Sequence, residues 1–93
     1  MNVDKAKKRI AKHVKKGFKG YPEVSLSYFG KSPDFATEVV VTYIEAEGSE
    51  PQEQRLVSET DVRDDETIQS VLIKIIERSG AATVTEKSGV SLI

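Results

Sequence analysis

Ninety-three residues, 38% apolar and 31% charged, suit one small domain spanning 1–93. No cysteine is present, which excludes disulfides and thiolate metal sites, and no apolar run approaches the ~18 residues of a membrane-spanning helix. The formal net charge of −1 hides a division: residues 1–20 hold eight Lys/Arg against Asp4 alone (+7), and residues 21–93 hold six Lys/Arg against fourteen Asp/Glu (−8).

The stretch KAKKRIAKHVKKGFKG (5–20) carries that positive block and predicts an amphipathic helix. Asn2 suits the N-cap, Asp4 the first turn, and Gly17, Gly20 and Pro22 stop the helix. At 100° per residue, Val3, Ala6, Ile10, Val14 and marginally Phe18 share one stripe. Lys5, Lys8, Arg9, Lys12, Lys15, Lys16 and Lys19 gather on the opposite side, within an arc of about 120°, while Lys7 flanks the apolar stripe. A charged N-terminus with no apolar segment behind it does not read as a secretory signal, so the expected compartment is the cytoplasm.

Three strands are expected next. VSLSYF (24–29) alternates with period two, and GKSPD (30–34) is turn chemistry. ATEVVVTYIEAE (36–47) is β-branched and apolar on both faces around 39–41, as in a central strand with its second side partly covered. EGSEPQ makes another turn, and EQRLVSE (53–59) is polar enough for an edge. A second helix follows, capped by Asp64 or Asp65 and closed by Gly80, with Ile68, Val71, Leu72, Ile75 and Ile76 at helical spacing. The tail AATVTEKSGVSLI predicts a β-hairpin turning at Lys87-Ser88-Gly89. The expected fold is two-layer α+β in the order α-β-β-β-α-β-β, a mainly antiparallel five-stranded sheet with two helices on one face.

Motifs for chemistry are sparse. His13 is the only histidine and has lysines for neighbours, so it lacks an acid–base partner. Gly30-Lys31-Ser32 carries the final letters of a phosphate-binding loop, but position 25 is serine and Pro33 stands where the helix would start. Asp61, Asp64, Asp65 and Glu66 place four carboxylates in six residues. They lack the alternating spacing of a calcium loop and suit a helix N-terminus. Glu45, Glu47, Glu50 and Glu53 surround the second turn and read as a solvated tip that discourages edge aggregation, or as a contact for a basic partner or for this protein's own first helix. Gly17-Phe18-Lys19-Gly20 matches the G-x-x-G loop of KH domains, although that loop joins two helices and this one leads toward a strand. Neither a catalytic constellation, nor a cofactor motif, nor a small-molecule substrate is expected.

The lysine face is the surface to weigh. Lys5–Arg9, Lys8–Lys12, Lys12–Lys16 and Lys15–Lys19 are like-charge i,i+4 pairs, so the face opposes its own helix by about 1–2 kcal/mol at low salt. A face that served only solubility would more often mix signs. An acidic protein surface or a second copy would relieve the repulsion, and so would the phosphates of a nucleic acid. The contact residues expected are Lys5, Lys8, Arg9, Lys12, Lys15, Lys16, Lys19, Gly17 and Gly20, in a non-enzymatic interaction module without membrane insertion.

The order α-β-β-β-α over residues 3–79 resembles that of double-stranded RNA-binding domains, whose second helix opens with a lysine-rich phosphate clamp. Here that position reads Asp64-Asp65-Glu66-Thr67, of opposite charge, so no site carries over. With the final hairpin added, the order is similar to that of small bacterial secretion chaperones, acidic dimers whose extra C-terminal helix has no counterpart in these residues. Both likenesses concern topology alone, and neither makes the chain a member.

Overall fold

In the computed structural model, which describes residues 2–93, helix α1 (Val3–Lys15) precedes strands β1 (Glu23–Gly30), β2 (Glu38–Ile44) and β3 (Gln52–Val57). Helix α2 (Glu66–Ser79) and strands β4 (Thr83–Glu86) and β5 (Ser91–Leu92) complete the expected α-β-β-β-α-β-β order. The α1 cap is Asn2, whose side-chain oxygen accepts from the Lys5 N–H at 2.9 Å. Asp65 caps α2 by accepting from the Ile68 N–H at 3.1 Å, and Gly80 ends that helix at φ +66, a left-handed turn that glycine adopts without Cβ strain.

Strand β1 is the centre of the sheet. Val24, Leu26 and Tyr28 point to its buried side, opposite Tyr43, Val41 and Val39 of antiparallel β2. Strand β3 forms the outer edge and is mostly exposed, as its polar sequence predicts. Val40 lies on the helix-free face, yet neighbours on that face leave it only 8% exposed. Both helices cover the other face, with α1 packed on α2 and β4. Ala6 and Ile10 of α1 meet Ile68, Leu72, Ile73 and Ile76 of α2 in one core with Val24, Leu26, Val39, Val41 and Val84.

Two expectations about packing need correction. On α2, Ile73 and Gln69 are buried while Val71 and Ile75 are only half-buried. The helix packs against α1 as well as the sheet, which shifts its apolar stripe toward α1. Phe18 leaves the α1 stripe altogether, because the helix ends at Lys15 and the loop turns the ring outward, 65% exposed.

The C-terminal segment departs from the expected hairpin. Strands β4 and β5 do not pair with each other; both run parallel to β1, β4 beside residues 23–26 and β5 beside 29–30. The sheet is therefore mixed, in the order β3-β2-β1-β4, with β5 continuing the β4 edge. A helical crossover returns the chain parallel to β1. Since β4 is too short to satisfy the whole free edge, the chain bulges out at 87–90 and rejoins it. The backbone N–H groups of Lys87 and Ile93 carry the ladder on to the Leu26 and Gly30 carbonyls, at 2.9 and 3.0 Å. Glycine and serine signal a reversal and an outward bulge alike.

The β3–α2 connection is tied to the loop before β2. The Val62 N–H reaches the Ala36 carbonyl at 2.7 Å, and Asp61 accepts from the Ala36 N–H at 3.2 Å and from the Arg63 guanidinium at 2.6 and 2.9 Å. Gly30 lies so close to this loop that an added Cβ would overlap the Phe35 carbonyl oxygen. The letters Gly30-Lys31-Ser32 thus end a strand and open a turn, closed by Phe35 N–H to Ser32 at 3.3 Å. No helix among the described residues is long and apolar enough to cross a membrane.

Hydrogen bonds from Arg63 hold the Asp61 carboxyl at about 2, below its ordinary 3.8, even though burial opposes ionisation. The ionised carboxylate therefore contributes about 2 kcal/mol of stability above roughly pH 4, which is lost as the pH falls toward 2. Asp61→Asn is expected to flatten the pH dependence of urea-unfolding stability across that window by a similar amount. An unchanged slope would show that Asp61 is not the controlling group.

Candidate interaction surface on the first helix

Helix geometry brings Lys5, Lys8, Arg9, Lys12 and Lys15 around Ala11, where their aliphatic stems line a shallow depression. The cations that turn toward α2 are partnered: Lys7 reaches Asp64 at 2.7 Å, and Arg9 pairs with Glu77. Among the described residues, no carboxylate lies within 4.0 Å of Lys5, Lys8, Lys12, Lys15, Lys16 or Lys19. All six are exposed. Since α1 ends at Lys15, the pair Lys15–Lys19 falls outside the helix, and with Arg9 paired to Glu77 the helical i,i+4 repulsions that remain are Lys8–Lys12 and, at the cap, Lys12–Lys16.

The G-x-x-G segment is a fixed loop between α1 and β1. Gly17 at φ +72 and Gly20 at φ +98 take conformations that other residues adopt only with strain. Thr83 at the start of β4 fastens the loop: its Oγ1 accepts from the Lys19 N–H at 2.8 Å and donates to the Gly20 carbonyl at 2.7 Å. The Phe18 ring meets Tyr21 edge-on, with centroids 5.6 Å apart. One end of the cationic face thus carries an exposed aromatic pair beside Lys16 and Lys19.

Sequence reading missed Thr83, Glu77 and the role of Lys7, because each acts across more than fifty residues of chain. It also missed a cavity of about 190 Å³ lined by Lys7, Ile10, Tyr28, Arg63, Gln69 and Glu86. There the Tyr28 hydroxyl donates to Glu86 at 2.6 Å, and burial together with that bond raises the phenol well above its ordinary pKa. Three of the four carboxylates of 61–66, Asp61, Asp64 and Asp65, are drawn into separate duties. Asp61 holds Arg63, Asp64 meets Lys7, and Asp65 caps α2 and accepts from the Ser58 hydroxyl at 2.7 Å, the bond that chiefly lowers its pKa. Among the described residues they do not converge on a common point. His13 is half-buried on α1.

The acidic residues Glu45, Glu47, Glu50 and Glu53 are exposed around the β2–β3 connection, on the sheet edge away from α1. Comparison of the chain with known families, curated proteins and solved structures finds no match.

Because Thr83 is buried and satisfies two loop groups, Thr83→Val removes both hydrogen bonds at nearly constant volume. A stability loss of about 1–3 kcal/mol is expected, with amide exchange of Lys19 at least tenfold faster. Equal Lys19 exchange in both proteins would mean the loop is held by other contacts.

Proposed function

We propose that the chain is a non-enzymatic interaction module of the cytoplasm, whose α1 face holds an acidic protein surface, either a different protein or a second copy. The contact set is Lys5, Lys8, Arg9, Lys12, Lys15, Lys16 and Lys19, with the Gly17–Gly20 loop as its end. What supports this reading is the distribution of partners: six lysines stand without carboxylates although residues 21–93 carry an excess of eight negative charges. The fold spends Asp64 and Glu77 on cations facing α2 and leaves the outward ones unneutralised. Ala11 and the lysine stems add an apolar floor, which desolvates against a partner more readily than bare ammonium groups would.

Phosphate contacts by the same lysines are the second reading, favoured by Phe18, exposed beside Lys16 and Lys19, where a base could stack. Both partner classes would associate faster at low salt.

An amide-resolved NMR titration separates the two readings. A glutamate-rich peptide is expected to shift resonances of residues 5–20 alone, with affinity that falls as salt rises. The variant Lys8→Gln/Lys12→Gln/Lys15→Gln should bind it at least tenfold more weakly. Shifts with duplex DNA or RNA but not with the peptide would favour phosphate recognition. Absence of shifts with either at low salt would overturn the basic-face reading.

A further inference from the structure

The same molecule carries a second charged pole that fits the first. Residues 45–53 contain Glu45, Glu47, Glu50 and Glu53, all exposed and, among the described residues, none within 4.0 Å of a cation. The turn that presents them is ordered: the Ser49 N–H reaches the Ala46 carbonyl at 3.0 Å, and Gly48 takes φ +82. Ala46 and Pro51 stand exposed among the carboxylates, as Ala11 stands among the lysines.

Within one chain these poles are not paired with each other: among the described residues no Glu45, Glu47, Glu50 or Glu53 carboxylate lies within 4.0 Å of a lysine. The acidic turn joins β2 and β3 at one edge of the sheet, while α1 packs on α2 and on β4 at the other. Two strand spacings, about 10 Å, separate β2 from β4, and the turn leaves the sheet at the end where Ile44, Glu23 and Thr83 stand in register. Complementary patches that the fold leaves unpaired on opposite edges of the sheet are available to meet between molecules.

Resting on the reading of α1 as a contact surface, we propose that its occupant is the acidic β2–β3 turn of a second copy of this chain. Glu45, Glu47, Glu50 and Glu53 meet Lys5, Lys8, Lys12 and Lys15, and Ala46 and Pro51 settle on the aliphatic floor around Ala11. Such a contact joins two different patches: formed once it is heterologous, and formed twice about a two-fold axis it closes a dimer. Its strength is electrostatic and falls with ionic strength.

Sedimentation at low salt, from micromolar to near-millimolar protein, is the test. The weight-average mass is expected to rise with concentration from the 10.3 kDa of one chain to twice that or more, and to return toward one chain at high salt. Two variants complete it, one with Lys5→Gln, Lys8→Gln, Lys12→Gln and Lys15→Gln, the other with Glu45→Gln, Glu47→Gln, Glu50→Gln and Glu53→Gln. All eight side chains are exposed, and circular dichroism checks that both variants fold. Each alone is expected to stay monomeric; mixed, they keep one intact pole each and form a 1:1 pair that grows no further.

A wild-type chain that stays monomeric throughout would overturn the inference, as would association insensitive to salt or a mixture that fails to pair. A monomer whose α1 resonances still shift with a glutamate-rich peptide would lose the second copy as partner while keeping the basic face as a binding surface. A monomer that also ignores the peptide would lose both.

Discussion

The narrow seat of α1 decides what this protein shows to its surroundings. Only Ala6 and Ile10 are fully buried on that helix, with Val14 half-buried behind them. So thin a stripe gives modest hydrophobic stabilisation, of the order of a few kcal/mol. Two cross-helix ion pairs, Lys7–Asp64 and Arg9–Glu77, supplement it, but both are partly exposed and contribute little singly. A helix fastened along one edge must leave the rest of its circumference outward. On α1 five of the eight exposed residues are lysine.

Thr83 links this face to the sheet. It begins the parallel strand that β1 needs on its free edge, and its hydroxyl closes the Gly17–Gly20 loop at the end of α1. Parallel pairing of β4 with β1 therefore fixes more than a ladder: it fastens the loop after α1 at Lys19 and Gly20. The Asp61–Arg63 arrangement plays a comparable part elsewhere, joining the β3–α2 connection to the loop at Ala36.

Much of this was legible in the residues. Period-two alternation identified β1, helical spacing and Gly80 identified α2, and the polar sequence of β3 marked an edge. Periodicity is local, and so it reports elements well. Strand direction is not local: Lys87-Ser88-Gly89 reads the same whether the chain reverses or bulges outward, and only the crossover through α2 decides. Which lysines stay unpartnered is equally non-local, since Lys7 and Arg9 find acids in α2 and the turn before it. The depletion of acids from residues 1–20, by contrast, was visible at once, and it is that imbalance which the fold leaves facing outward.

The like-charge pairs Lys8–Lys12 and Lys12–Lys16 oppose the helix that carries them. Thermal and urea unfolding of the wild type and of Lys8→Gln/Lys12→Gln/Lys15→Gln, in dilute protein across a series of salt concentrations, tests this opposition most directly. With two like-charge pairs removed, the variant is expected to be more stable by roughly 0.4–1 kcal/mol at low salt, with the difference vanishing as salt screens the repulsion. A variant no more stable than the wild type at low salt would contradict it, because the lysines would then already be compensated within the chain.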